Sequence, residues 1–264
     1  SPIRYFRWDV AEGTIDKKAF ENIDAIIHLA GANVGDKRWT EKRKREILHS
    51  RTDSTQLLFR CMEERKVKIK KFISASAIGY YGTTTSETIF NENSEQGKDF
   101  LADVCSRWEN EVRQFEKQNL YPTILRTAVV LARNSGALQK MAFPAKLGLN
   151  AALGTGNQYM PWIHIEDLCM MYLFFLKNPG ISGVFNAVAT EHVHNRTFLT
   201  EVSSVLKKPF FMPNVPAFFL RMLFGEMSDM LLEGSRVNNE KVRQQGFIFK
   251  HGNLNGALTD LFAP

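Results

Sequence analysis

The feature that most constrains this chain is the alternation of short apolar runs with longer amphipathic ones. "DAIIHLA" (24–30), "KFISAS" (71–76), "PTILRTAVVL" (122–131) and "GVFNAVA" (183–189) are short and apolar, as strands buried on both faces are. Helical patterns run between them, over about Trp39–Glu64, about Asp99–Lys117, from near Gly136, and in "EDLCMMYLFFLKN" (166–178) after the short segment "YMPWIHI" (159–165). Strands separated by whole helices cannot be hairpin partners, so the pattern predicts a parallel sheet with crossover helices, the doubly wound α/β class.

From about His192 the pattern changes. "NRTFLTEVSSVLKKP" (195–209), "VPAFFLRMLFG" (215–225), "NNEKVRQQGF" (238–247) and "NLNGALTDLF" (253–262) all have helical spacing. We therefore divide the chain into an α/β domain over 1–191 and a small, mainly helical C-terminal cap over 192–264.

A sheet of this class that takes a dinucleotide holds the pyrophosphate on a glycine-rich turn at the N-terminus of the first helix. No such turn occurs before Asp24. "GTGNQ" (154–158) follows a helix and leads into an extended segment, so it lacks the strand, turn and helix setting; we assign it to a substrate-side loop over about 145–160.

Composition excludes several classes. The net charge of +6 has its densest cluster in "EKRKRE" (41–46), where acids bracket bases on a helical pattern. A solvated helix face explains this, so no nucleic-acid partner is expected. Cys61, Cys105 and Cys169 are far apart, and His192 and His194 lack a third ligand, so no metal is expected. No signal peptide opens the chain and no apolar run reaches spanning length, "LCMMYLFFL" (168–176) included, so we expect a cytoplasmic protein with no membrane partner.

"IIHLAGANV", "FISASAIGYYG", "ILRTAVVLA", "PWIHIEDL" and "GVFNAVA", with "DFLADVCSRWENE" and "MLLEGSRV", resemble the extended short-chain dehydrogenase/reductase class, the NAD-dependent epimerase/dehydratase superfamily. Within it they are similar to the YfcH-like subgroup, which ends in a small domain of unknown function. The resemblance implies a Rossmann-like domain whose first β-α-β unit lies ahead of Ser1, a bound NADP, with NAD as the alternative, and a small-molecule or nucleotide-linked substrate. It implies an NAD(P)-dependent oxidoreductase or epimerase; the alternative is a cofactor-binding sensor or interaction protein that has lost turnover.

By the same resemblance Ser76 holds the catalytic hydroxyl position. The helix that supplies tyrosine and lysine in such enzymes offers Asp103 and Arg107 instead, and an arginine that keeps its proton can still hold a ribose hydroxyl. Tyr81, beside Tyr80, is the stand-in phenol or else a packing residue. Leu29, Ala30, Gly31, Ser74, Arg107 and Arg126 fall on the cofactor side, with Arg126 either facing the nicotinamide or paired inside the fold. His164, three residues before Asp167, anchors its segment. Relatives often dimerise through the two long helices, but Lys42, Arg43, Lys44, Arg45 and Arg51 on the first predict a monomer or weak homodimer.

Overall fold

The structure, a computed structural model, describes residues 3–263. In chain order the strands are β1 (Trp8–Asp9), β2 (Thr14–Ile15), β3 (Ala25–His28), β4 (Lys71–Ala77), β5 (Ile89–Phe90), β6 (Thr123–Thr127), β7 (Val129–Leu131), β8 (Trp162–His164), β9 (Gly183–Ala187) and β10 (Arg236–Val237). The helices are α1 (Glu41–Glu64), α2 (Phe100–Arg113), α3 (Gly136–Lys146), α4 (Ile165–Lys177), α5 (Asn195–Val205), α6 (Ala217–Phe224), α7 (Asp229–Leu232), α8 (Glu240–Gln244) and α9 (Leu254–Phe262). The main sheet is parallel throughout, in the order β3-β4-β6-β9.

Successive strand residues face opposite sides, and both sides are covered. Phe72 of β4 and Ile124 of β6 pack with Leu57, Leu58 and Met62 of α1 and Trp108 and Val112 of α2. Their neighbours Ile73 and Leu125 pack with Met171 and Phe175 of α4 and with Phe247. This two-sided burial is why the strands are apolar without alternation.

Helix starts follow their caps. The Thr40 hydroxyl accepts from the Arg43 amide at 3.2 Å, so α1 begins at Glu41, after the expected Trp39. The Asp99 carboxylate accepts from the Ala102 amide at 2.9 Å and starts α2. α2 ends at Arg113, short of the expected Lys117, and a 3-10 turn carries the chain to Asn119 in a left-handed conformation. The run "PTILRTAVVL", expected as one strand, is two. At Ala128 the chain leaves the main sheet, and β7 pairs in parallel with β8.

The C-terminal region shares cores with what precedes it. Leu131, Leu138 and Trp162 pack in one cluster with Phe198 and Leu199 of α5 and Leu254 and Leu258 of α9. β10 pairs in parallel with β5. The buried Asp167 carboxylate accepts from the Lys250 and His251 amides at 2.8 and 2.9 Å, fixing the segment before α9.

Candidate active site

The register of the main sheet sets Ser76, Arg126 and Asn186 side by side near its C-terminal edge. A guanidinium buried there needs an acid. α2 supplies it through Glu109, whose carboxylate receives Arg126 Nε and Nη2 at 2.8 and 2.9 Å. The Ser76 hydroxyl donates to Glu109 Oε1 at 2.8 Å, and Arg113 reaches Oε2 at 3.3 Å. On its other side Arg126 Nη1 donates to the Tyr81 hydroxyl at 3.1 Å, and Tyr81 donates to Asn186 Oδ1 at 2.7 Å. The Arg126 guanidinium lies over the Tyr80 ring, 3.3 Å from its centroid.

The sheet therefore brings together three of the residues singled out from the sequence, but their polar atoms face one another. Burial pushes the Tyr81 phenol up to about 12, against the opposing pull of Arg126. Burial alone would lower Arg126, but its bonds to Glu109 raise it well above the ordinary guanidinium value. Of the two alternatives for Arg126, it takes the pair within the fold. Ser74, also placed on the cofactor side, is fully buried, and its hydroxyl donates to the Ala75 carbonyl at 2.9 Å.

Other residues remain open at this edge. Leu29 and Gly31 are exposed where the chain leaves β3, and Ala30 is half-buried. A Cβ on Gly31 would lie 3.0 Å from Arg51 Cζ, so the glycine makes room for that guanidinium. Arg51 and Arg43 turn inward, contrary to the outward placement expected of them. Arg51 lies over Trp108 at 5.3 Å and donates to the Ile47 carbonyl at 2.8 Å, and buried Arg43 donates to the Asn33 carbonyl. On α2, Arg107 and Asp103 form an i,i+4 pair at 2.9 Å, both facing solvent and apart from the buried network. Among the described residues no glycine-rich strand, turn and helix precedes β3. A depression of about 340 Å³ between Val10–Gly13 and Asp53–Arg60 is lined by none of the candidate site residues.

His164 caps α4, its Nδ1 accepting from the Glu166 amide at 3.1 Å. With His251 and Asp260 it lies within metal-ligand reach. The two imidazoles are stacked, 3.7 Å apart and 23° from parallel, so their in-plane lone pairs do not converge on one ion. His192 and His194 contact the carbonyls of Val237 and Asn157 at 2.9 and 2.6 Å.

Residues 4–187 match the NAD dependent epimerase/dehydratase family, and residues 215–261 match a domain of unknown function (DUF1731). This chain belongs to the NAD-dependent epimerase/dehydratase family. It is similar to the epimerase family protein YfhF of Bacillus subtilis, 36% identical over 259 residues, which are 98% of this chain and 84% of that protein. The crystal structure of the human epimerase family protein SDR39U1 (isoform 2) with NADPH superposes with a TM-score of 0.86 at 30% identity, covering 91% of this chain and 82% of that one. The nucleoside-diphosphate sugar epimerase of Corynebacterium glutamicum superposes at 0.76 and 25% identity, covering 96% and 48%. The Rossmann-like α/β fold and family expected from the sequence hold, and no described helix is long and apolar enough to cross a membrane.

Sequence reasoning missed Glu109 and Asn186. Glu109 was legible: Cys105, Glu109 and Val112 fall at i, i+4 and i+7, the spacing of a buried stripe, and a strand arginine needs a carboxylate there. Asn186 sits inside an apolar strand and carried no signal until register placed it beside Arg126.

Proposed function

We propose that this protein is an NAD(P)-dependent oxidoreductase or epimerase of the nucleotide-sugar epimerase-like type, cytoplasmic, acting on a small-molecule or nucleotide-linked substrate. The observation that carries this reading is the open strand end at Leu29–Gly31 within a chain of this family. There the exposed Leu29 side chain offers a face to a flat ring, and Gly31 leaves room for the Arg51 guanidinium, whose charge suits a sugar-phosphate passing the backbone. NADP is the favoured cofactor, with NAD as the alternative, since the 30%-identical human relative was solved with NADPH.

When bound, the nicotinamide would supply hydride transfer. Leu29, Ala30 and Gly31 would line its ribose-phosphate side. Arg107, oriented by Asp103 at 2.9 Å, would hold a ribose or substrate oxygen through its accessible guanidinium donors. Ser76 and Tyr81 would act through position, because their hydroxyls are already bonded to Glu109 and Asn186. That last feature favours a second reading, a cofactor-binding sensor or interaction protein without turnover.

Titrating NADPH and NADH into the protein, followed by hydride-transfer assays on nucleotide sugars, separates the readings. Binding with turnover supports the enzyme and binding alone supports the sensor. Gly31→Val should abolish binding in protein that still unfolds cooperatively, the added side chain displacing the Arg51 guanidinium, and unchanged affinity in that variant sinks the site. We further propose a monomer or weak homodimer, since Lys42 and Arg45 stay exposed on α1; a tight dimer in sedimentation equilibrium at low salt would contradict this.

A further inference from the structure

α6 is almost wholly apolar, yet it buries only Leu220. Phe218 is 72% exposed and Met222 66%, and Phe219 and Leu223 are exposed beside them. The same surface extends back along the chain. Val215 bridges Leu153 in parallel, and its amide donates to the Ala152 carbonyl at 2.8 Å. A Cβ on Gly148 would lie 3.8 Å from Pro209. The turn Leu147–Gly148–Leu149 at the end of α3 therefore runs beside Pro209–Phe211, and α6 starts directly from the bridge. Leu147, Leu149, Phe143 and Phe211 are all exposed, Phe211 by 72%. Monomeric soluble proteins rarely leave so much contiguous apolar surface without a use for it.

The acids bordering it, Glu226 after α6 and Asp36 beside α3, are taken up by Lys44 at 2.5 Å and Lys140 at 3.8 Å, which leaves the remaining charge of the face basic. No aspartate or glutamate occurs from Lys117 to Ile165 or from Val202 to Gly225. Lys146, Lys207, Lys208 and Arg221 lie within those stretches and are exposed. A second copy would set these cations against one another across a two-fold axis, whereas phenylalanine, leucine and methionine rimmed by lysine and arginine suit the boundary between lipid headgroups and acyl chains.

We propose that α6, Phe211 and the end of α3 form a docking face for an anionic lipid surface, with the apolar side chains entering the interface and the basic rim meeting the phosphates. This is peripheral attachment. The expectation of no membrane partner rested on the lack of a spanning run, which does not bear on it; the face borders the segment expected on the substrate side, and vesicle binding reads it apart from cofactor binding.

Flotation of the whole chain with phosphatidylcholine vesicles, with and without phosphatidylglycerol, tests it. The face predicts binding to the anionic vesicles only and release by salt. Lys207→Glu/Lys208→Glu should weaken binding by at least about fivefold per charge. Phe218→Ser/Met222→Ser should weaken it by tenfold or more, with far-UV circular dichroism and thermal unfolding unchanged because both side chains are exposed. No binding to anionic vesicles, or equal binding by the variants, overturns the proposal. A concentration-dependent dimer that Phe218→Ser/Met222→Ser abolishes, in protein that ignores vesicles, overturns it in favour of a second copy.

Discussion

Helix α2 supplies the acids of two acid–arginine pairs of the same chemistry in opposite surroundings. Asp103 and Arg107 face solvent, 48% and 61% exposed, with one contact between them. Glu109 and Arg126 are 0% and 2% exposed, with two parallel bonds and further partners in Ser76, Arg113 and Tyr81. Water screens the outer pair, and either partner can exchange it for a ligand at little cost. The inner pair has no water to return to, so each member depends on the other. Two residues nominated for catalysis, Ser76 and Tyr81, belong to the inner network. The third, Arg107, belongs to the outer pair.

The largest effect should come from breaking the inner pair. Glu109→Ala leaves Arg126 charged, buried and unpaired, and should cost about 3–5 kcal/mol in chemical unfolding. A loss below about 1 kcal/mol would mean that water reaches Arg126.

Acid comes next, and it acts through His28. This imidazole sits among Trp8, Phe72 and Trp108; its Nε2 contacts Ser54 Oγ at 3.0 Å, and its Nδ1 is buried without a partner. Burial holds it down to about 4, against an ordinary 6.5. Between those values the unfolded chain takes up a proton that the folded chain refuses. Stability present above pH 6.5 is therefore lost as the pH falls toward 4, by up to about 3 kcal/mol. Glu166, held down to about 2 by His251 and Lys250, adds its own slope only below about 4.5. Urea unfolding across this range should show the loss, and His28→Gln should reduce it, leaving the share of His164 and His192, which burial also lowers; an unchanged slope would assign the proton elsewhere.

Tyr81→Phe sharpens the comparison from the other end of the network. It removes the bonds to Asn186 and Arg126 but keeps the ring, stacked on Phe90 at 5.4 Å, so a loss of about 1–2 kcal/mol is expected. If Tyr81 only supports the sheet, the variant's turnover should survive at temperatures where it is folded. Abolished turnover in folded variant would make Tyr81 catalytic. Smallest in stability is Arg107→Ala, at about 0.5 kcal/mol or less, with its effect appearing as weaker cofactor or substrate binding.

The strands were legible because both faces of the sheet are covered, so β4 and β6 needed apolar residues at successive positions. The break at Ala128 was not legible, since no turn residue marks it; it follows from β7 finding a partner in β8, which lies some thirty residues along the chain. Leu29–Gly31 could be placed at a strand end by pattern alone. The partners of Ser76 and Arg126 could not, because they depend on the register of β4, β6 and β9 and on which face of α2 meets them. Arg43 and Arg51 show the same limit: local charge pattern set them outward, while Asn33, Ile47 and Trp108 draw them in.

The most direct test of the contrast between the two pairs removes one carboxylate charge from each in otherwise identical chains. Urea unfolding of Glu109→Gln and Asp103→Asn, run side by side at neutral pH, should show a loss of about 3 kcal/mol or more for the inner position and about 1 kcal/mol or less for the outer one. Equal losses, or a larger loss at Asp103, would contradict the assignment of the inner pair to structure and the outer pair to ligand.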